Sequence, residues 1–186
     1  MIQAASRRPV IGVMGASAAS PATLEVAHRL GRLIAEAGWV VLTGGRPAGV
    51  MDAASAGART VPGSLIVGIL PSGPDGAVGS QVDLAIFTGI GEARNAINVL
   101  SSDVVVACGV EGPGTASEVA LALRLGRPTV LLAPTPSASA FFGEIAGDTT
   151  VHQASTAEAA IALIEGRLGV RRWSGSAHPS ARGQEP

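Results

Sequence analysis

The sequence predicts an α/β fold in which a single, doubly wound and mostly parallel sheet carries helices on both faces. Three observations predict it. Short apolar segments of strand length alternate with amphipathic segments of helix length along most of the 186 residues. The apolar segments are nearly continuous in Val, Ile and Leu, as in strands that are buried on both faces. Glycine-rich turns follow several of these segments, as they do in doubly wound sheets.

The strands are predicted from their apolar runs and from the turn residues that bound them. The first run follows Pro9 and ends at Gly15, and the second begins at Trp39 and ends before Gly44. Later runs have a similar composition, and a short run before Ser155 is the last. The predicted strands cover residues 9–15, 39–43, 65–70, 82–88, 104–107, 129–132 and 151–153.

The helices are predicted from apolar residues three and four positions apart and from their end signals. In the first helix this spacing runs from Leu24 to Ile34, and Gly38 ends the helix. The last helix begins at Ser155, which is predicted to form a capping box with Glu158. The predicted helices cover residues 23–37, 50–58, 93–101, 115–125 and 155–165.

The length suits one domain with a full core. Residues 1–8 are predicted as an N-terminal extension, residues 9–168 as the domain, and residues 169–186 as a disordered tail rich in Pro, Ser and Gly. Residues 134–150 fit neither periodicity and stay unassigned. The sequence leaves open whether the Pro- and Gly-rich loop at residues 71–80 closes as a lid.

Composition argues against several classes of partner. The net charge of −1 and an aromatic content of 3% without Tyr argue against a nucleic-acid surface. Cys108, the one cysteine, excludes an internal disulfide and fits a reducing cytoplasm. No apolar run suits a signal peptide or a membrane span, so a cytoplasmic protein with no membrane partner is predicted. His28 and His152 lack companions at ligand spacing, so no metal site is predicted.

Three glycine turns are predicted at the carboxyl ends of strands, which meet at one edge of a parallel sheet, where ligands bind. The turn at Gly15 lacks the dinucleotide spacing G-x-G-x-x-G, and no acidic residue ends the second strand, so NAD binding is disfavoured. Ser17 after this turn is a candidate contact to a phosphate or a sugar. Capping of the next helix by Ser17 or Ser20 is the alternative.

The second turn contains Gly44, Gly45 and Gly49, whose backbone can approach a ligand closely because glycine lacks a Cβ. Its place at the carboxyl end of a strand favours ligand contact over a purely structural turn. Met51, just after the turn, is a candidate contact as well as a candidate core residue. All four are therefore candidate site residues.

The strongest signal is the third turn, Gly112-Pro-Gly114-Thr115 followed by Glu118. A glycine turn that leads into a helix N-terminus offers free N–H groups and the positive end of the helix dipole to a phosphate. Thr115 is predicted to cap this helix. Glu118 either completes a capping box with Thr115 or acts on the ligand.

Arg94 and Asn95 open the preceding helix. A cation at a helix start is poorly placed for the helix dipole, so Arg94 is expected to have an anionic partner, either Glu118 or a ligand phosphate. The usual alternative is a solvated surface arginine. Asn95 could hold a base, a sugar or a loop carbonyl.

Taken together, the motifs at residues 44–54, 92–95 and 112–118 resemble the LOG-like Rossmann superfamily over about residues 9–165. The molybdenum cofactor carrier-like branch is the more similar one. Its sister branch contains the LOG phosphoribohydrolases, which cleave nucleoside 5′-monophosphates, including cytokinin ribotides, to the free base and ribose 5-phosphate. Those enzymes carry P-G-G-x-G-T-x-x-E and an Arg-Lys pair. Here Val110-Glu111 replaces the first Pro-Gly, and Asn95 replaces the lysine, which favours the carrier-like branch.

The resemblance implies a Rossmann-like fold, a homodimer or tetramer, and binding of a phosphorylated small molecule without turnover. The ligand would be a nucleotide, or molybdopterin cofactor as carried cargo, and no cofactor is required. Glu111 is expected to weaken phosphate binding by its negative charge. The alternative is a phosphoribohydrolase in which Arg94 and Glu118 are catalytic, and a nucleotide-sensing interaction protein is the third hypothesis. A pyridoxal-dependent lysine decarboxylase is excluded, because the chain contains no lysine.

Overall fold

The computed structural model describes residues 7–147 and 151–173, and within them strands and helices alternate as the sequence predicts. The strands are β1 (Val10–Met14), β2 (Val40–Thr43), β3 (Leu65–Leu70), β4 (Leu84–Phe87), β5 (Val104–Cys108), β6 (Thr129–Leu132) and β7 (Val151–Ala154). The α-helices are α1 (Pro21–Glu36), α2 (Gly49–Arg59), α3 (Asn95–Ser101), α4 (Pro113–Arg124), α5 (Pro136–Ile145) and α6 (Ala157–Gly166).

All seven described strands are parallel and form one sheet in the order β4-β3-β2-β1-β5-β6-β7. The chain builds outward from β1 to β4 and then returns to place β5 on the other side of β1. The point where the strand order reverses therefore lies between β1 and β5. A crevice opens there beyond the carboxyl ends of the strands, which is the usual ligand position in such sheets.

Both faces of the sheet are buried, which explains the near-continuous apolar runs. In β5, Val104 and Val106 belong to the core that contains apolar side chains of α1, α2 and α6. Val105 packs with residues of α3 and α4, and Ala107 packs with residues of α4 and α5. The predicted fold class, a single parallel sheet with helices on both faces, is confirmed.

Helices α1 and α2 pack closely because each contributes a glycine at the contact. A Cβ added at Gly31 would overlap the carbonyl oxygen of Ala54, and one added at Gly57 would overlap the carbonyl oxygen of His28. The two backbones therefore approach to a distance that no side chain would permit. This contact fixes α1, which follows β1, against α2, which follows β2.

Each of the five predicted helices begins one or two residues away from its predicted start, and two of these shifts bear on the site. The predicted helix at residues 93–101 divides into a 3₁₀ turn, Gly91–Arg94, and α3, because the left-handed conformation of Gly91 (φ 62°) starts a tighter turn. The predicted helix at residues 115–125 begins at Pro113 instead, with extended Gly112 as its N-cap. Proline suits this first helical position because its fixed φ is already helical.

The capping box predicted for Ser155 and Glu158 is wrong. The hydroxyl of Thr156 accepts a hydrogen bond from the backbone N–H of Ala159 and is the cap of α6, at 3.2 Å. Glu158 instead accepts a hydrogen bond from Arg29 of α1 at 2.6 Å. The unassigned region contains α5, which is capped by the hydroxyl of Thr135, while residues 148–150 lie outside the described part.

Residues 171–173 belong to the predicted tail, yet they pack on the domain. The indole N–H of Trp39 donates to the carbonyl of Arg171 at 2.8 Å, and the N–H of Trp173 donates to the carbonyl of Ala37. The N–H of Val170 also donates to the carbonyl of Ile164, so the prediction of a disordered tail is wrong for the described residues 169–173. The remainder of the predicted tail, residues 174–186, lies outside the described residues.

Several large apolar side chains are exposed on β4, just before the 3₁₀ turn, at the ends of α3 and α4, and on α5. They are Leu84, Ile86, Phe87, Ile90, Leu100, Leu125, Phe141 and Ile145. The homodimer or tetramer remains a prediction. Among the described residues, no helix combines the length and the hydropathy that crossing a membrane requires.

The close contact of α1 and α2 predicts opposite effects of two glycine-to-alanine changes. Alanine normally stabilises a helix interior by about 0.5–1 kcal/mol relative to glycine. Gly31→Ala should nevertheless lower the free energy of unfolding by about 1–3 kcal/mol, because its methyl group overlaps α2. Gly143→Ala is the matched control, since Gly143 lies in α5 with no atom near its added Cβ. Urea denaturation of both variants measures this, and a stabilising Gly31→Ala would contradict the packing.

Candidate ligand-binding site

A cavity of about 570 Å³ lies at the carboxyl edge of the sheet. The loops after β1, β2 and β5 form its walls, together with the 3₁₀ turn and the first turns of α3 and α4. The structure thus brings the three predicted glycine turns to one place. The predicted site residues that line the cavity are Gly15, Ser17, Gly44, Met51, Arg94, Asn95, Gly112, Gly114, Thr115 and Glu118.

Two predicted ligand contacts, Gly45 and Gly49, do not line the cavity. Both have positive φ, 72° and 57°, in the region that glycine adopts readily. A Cβ added at Gly49 would overlap the carbonyl oxygen of Ala16, so the loops after β1 and β2 touch there. These glycines shape the loop behind the wall of the cavity, and their contact with the ligand stays a prediction.

Arg94 is the most unusual side chain of the site, because it is a cation with only 3% of its surface exposed. It lies within 4 Å of no carboxylate oxygen among the described residues, and its Nε atom has no hydrogen-bond partner. Burial lowers the pKa of its guanidinium, although the negative charges of Glu118 and Glu92 act to raise it. Gly44 makes room for it, since a Cβ there would collide with the guanidinium.

Glu118 lies on α4 with 6% of its surface exposed. Asn98 of α3 donates a hydrogen bond to its Oε1 atom at 2.9 Å. Burial raises the pKa of Glu118 to about 7, although the Asn98 hydrogen bond and the charges of Arg94 and Arg46 act in the opposite direction. The carboxyl group is therefore poised to change charge near neutral pH.

Thr115 does not cap α4, so that prediction and the alternative capping box with Glu118 are both wrong. Because the helix begins at Pro113, Thr115 is its third residue, and Glu118 lies beyond the first turn. The Thr115 hydroxyl is buried without a hydrogen-bond partner. The N-cap, Gly112, has no side chain, so the first N–H groups of α4 are left for another acceptor.

Asn95 makes a contact within the protein at the same edge. Its Nδ2 atom donates to the hydroxyl of Ser117 at 3.2 Å, and that hydroxyl donates to the carbonyl of Gly114 at 2.7 Å. These bonds connect the start of α3 to the first turn of α4. Asn95 therefore positions the loop that carries the glycines, while its side chain still borders the cavity.

Sequence reasoning missed Asn98 and Arg46. Asn98 follows Arg94 by four residues, and this spacing places two side chains on the same helical face. The spacing could therefore have predicted that Asn98 lies near the site. Arg46 lies next to Gly45 in the second glycine turn and lines the cavity. Its Nε atom is buried without a partner. Arg46 gave no signal beyond its position in that loop.

Glu111 was expected to lie beside the ligand phosphate and to weaken its binding. The structure instead turns its carboxylate toward the N-terminus of α1. It accepts hydrogen bonds from the hydroxyl of Thr23 at 2.6 Å and from the backbone N–H of Ser20 at 3.1 Å. These bonds hold the pKa of Glu111 below its usual range. Ser20 itself caps α1, which was the structural alternative for this serine.

The loop that carries Glu111 has an unusual backbone. Val110 has φ 54°, in the left-handed region that branched side chains rarely enter. The LOG phosphoribohydrolase motif has proline at this position, and the proline ring fixes φ near about −65°. The conformation of residues 109–111 is therefore incompatible with the motif of the enzyme branch.

Cys108 is buried at the end of β5, and burial raises the pKa of its thiol to about 12. This agrees with the prediction of a small buried residue without chemistry. In the described part of the chain, no three side chains of His, Cys, Asp or Glu are grouped as a metal site would require.

The polar groups that lack partners concentrate at this site. Buried polar atoms in proteins nearly always find a hydrogen-bond partner, so each exception asks for an explanation. Six buried side-chain atoms without a partner occur in the described residues, and four belong to the site or to the Glu118 contact. These four are Nε of Arg46, Nε of Arg94, Oδ1 of Asn98 and Oγ1 of Thr115. A buried cation, Arg94, and a half-buried one, Arg46, beside an open helix N-terminus suit an anionic group.

The fold has close counterparts among solved structures. The molybdenum cofactor binding protein of the phototrophic bacterium Rippkaea orientalis is 49% identical, with a TM-score of 0.83 over 88% of this chain and 99% of that one. The Moco carrier protein of Chlamydomonas reinhardtii is 47% identical, with a TM-score of 0.80 over the same shares. These matches confirm the resemblance to the carrier-like branch.

An uncharacterised protein of Archaeoglobus fulgidus is also similar, at 44% identity over 67% of this chain and 80% of its own length. A model of the SLOG cluster4 family matches residues 8–161, which include all seven described strands and the first half of α6. With this match and the shared fold, the chain belongs to the SLOG cluster4 family.

Proposed function

We propose that this protein is a carrier that binds molybdenum cofactor, a phosphate-bearing pterin, in the cavity at the carboxyl edge of the sheet. The observation that carries the proposal is the buried Arg94 guanidinium, which faces the cavity without a counter-ion among the described residues. A buried charge is costly unless an opposite charge meets it. The two similar structures, which are named for binding or carrying this cofactor, support this choice of ligand.

The phosphate is proposed to lie against the first turn of α4. The N–H groups of Gly114 and Thr115 lie in this turn, which has no side-chain cap. The unpartnered hydroxyl of Thr115 and the guanidinium of Arg94 border the same space. Backbone N–H groups, a hydroxyl and a guanidinium form the usual donor set for a phosphate. Each of these donors then gains the partner that it lacks within the protein.

The remaining cavity suits the pterin. A volume of about 570 Å³ is in the range of small-molecule sites, which is roughly 300–1,000 Å³. Met51 and Val13 supply apolar wall, and Arg46 adds a second cation beside the space. When Glu118 is neutral, its carboxyl adds no negative charge near an anionic ligand. The residues of this chain bind and orient the cargo, and the redox chemistry of the metal belongs to the enzyme that receives it.

A phosphoribohydrolase is the second candidate, because the pair proposed for its chemistry is present. A carboxyl with a pKa of about 7 suits general acid–base work at neutral pH. Arg94 would hold the 5′-phosphate, and Glu118 would stabilise the ribosyl cation or activate water. The loop at Val110, however, has a conformation that the proline of the enzyme motif cannot adopt. This difference places the carrier first.

Replacement of Arg94 tests the carrier proposal. Arg94→Gln should weaken binding of molybdenum cofactor by about 2 kcal/mol or more, or roughly thirtyfold, because a buried charged hydrogen bond to phosphate is lost. Fluorescence of the oxidised pterin retained on the purified protein measures binding. Arg124→Gln removes the same charge from an exposed position and should bind as the wild type does. Equal binding by both variants would refute the assigned phosphate position.

The titration of Glu118 predicts how anion binding depends on pH. Glu118 is neutral below about pH 7 and charged above it, and its negative charge opposes a bound anion. Affinity for sulfate, which keeps its charge throughout, should therefore fall about tenfold from about pH 6 to about pH 8. Isothermal titration calorimetry measures this dependence. Glu118→Gln should remove most of it, and an unchanged pH profile in that variant would exclude Glu118 as its origin.

A panel of nucleoside 5′-monophosphates separates the two candidate functions. For a carrier, we expect liquid chromatography to detect no free base after incubation with the wild-type protein. Release by the wild type and not by Glu118→Gln would establish the phosphoribohydrolase instead. Release by both proteins would indicate a contaminating enzyme, because the variant lacks the carboxyl that the reaction needs.

A further inference from the structure

We propose that Glu111 restricts the site to ligands with a single terminal phosphate and rejects ligands that carry a diphosphate. The inference rests on the proposed function, since it concerns the same cavity and a phosphate-bearing ligand. It adds a specificity-determining residue outside the Arg94 and Glu118 pair. It is based on a difference between two helix N-termini at the point where the strand order reverses: the protein itself supplies an anion at α1 but not at α4.

The N-terminus of α1 is closed by the protein itself. In doubly wound sheets the helix after the first strand is the usual position for a ligand diphosphate. Here the carboxylate of Glu111 accepts from the N–H of Ser20 at 3.1 Å and from the hydroxyl of Thr23 at 2.6 Å. The N–H of Thr23 is taken by the hydroxyl of Ser20, and Pro21 has no N–H. The carboxylate of Glu111 thus occupies the position that an anionic group of a ligand would take.

The N-terminus of α4 is open by contrast. It has glycine as its N-cap and no side-chain cap, and the buried hydroxyl of Thr115 beside it lacks a partner. Arg94, with its unpartnered Nε atom, borders the same part of the cavity. One anion position therefore has its donors free, while at the neighbouring one the N–H groups of Ser20 and Thr23 and the hydroxyl of Thr23 are in use. Glu111 also lines the cavity, so its charge faces any ligand that extends from α4 toward α1.

The backbone before Glu111 holds its side chain in this place. Gly109 and Val110 both have positive φ, 71° and 54°, and the N–H of Val110 donates to the carbonyl of Cys108 at 2.8 Å. This tight turn directs the carboxylate across the loop after β1 to α1. A second phosphate at α1 would have to displace Glu111 from its hydrogen bonds with Ser20 and Thr23 and then lie beside its charge. A single phosphate at α4 meets neither obstacle.

Competition between inorganic phosphate and pyrophosphate tests the proposal. Isothermal titration calorimetry gives the dissociation constants of both anions for the wild type and for Glu111→Gln, with thermal melting to confirm that each protein is folded. Glu111→Gln should lower the ratio of the pyrophosphate constant to the phosphate constant at least about tenfold. Glu111→Ala, which removes the hydrogen bonds as well as the charge, should lower it further and covers the case in which the glutamine variant is unstable.

Glu92→Gln is the matched control, because Glu92 is another carboxylate that lines the cavity but does not contact α1. It should change both constants in parallel and leave their ratio as in the wild type. If phosphate binds to the wild type, but both Glu111 variants have the same ratio of the two constants as the wild type, the role of Glu111 is overturned while the proposed phosphate site stands. If neither anion binds to the wild type or to any variant, the proposed phosphate site fails together with this inference.

Discussion

The burial of two opposite charges that do not pair directly is the constraint on which the site depends. Arg94 and Glu118 are almost fully buried at the carboxyl edge of the sheet, yet no ion pair within 4 Å joins them in the described structure. Burial disfavours both charges, since it lowers the pKa of Arg94 and raises that of Glu118. An anionic ligand would favour charged Arg94 and neutral Glu118. The site therefore holds polar groups in place that a phosphate would satisfy.

The fold supplies this arrangement through the order of its strands and the packing of its helices. Because β1 lies between β2 and β5, the loops that follow these three strands meet around one crevice. Arg94 ends the 3₁₀ turn and caps α3, Asn98 lies one turn later in α3, and α4 lies against α3 with Glu118. The rigid sheet and the paired helices keep the donors in position without a ligand, which reduces the entropic cost of binding.

Much of the fold could be predicted from the sequence, because each buried strand is a continuous apolar run and most helices show clear periodicity and end signals. The site was predicted as a set of motifs, but its contacts were not. The direction of the Glu111 side chain depends on positive φ at Gly109 and Val110, and no local sequence pattern predicts a valine in that conformation. The contact of Asn98 with Glu118 joins two helices, so it depends on tertiary packing. The start of α4 was misplaced because Thr115 resembles a cap, whereas Pro113 begins the helix.

A crystal structure of the protein with bound molybdenum cofactor tests the central claim most directly, since anomalous scattering locates the metal and electron density locates the phosphate. The arrangement of donors predicts the phosphate within about 3 Å of the N–H groups at the start of α4 and of the Arg94 guanidinium. It also predicts that Glu111 keeps its hydrogen bonds to Ser20 and Thr23. A phosphate at the N-terminus of α1, or a cofactor outside the cavity with Arg94 still unpaired, would contradict it.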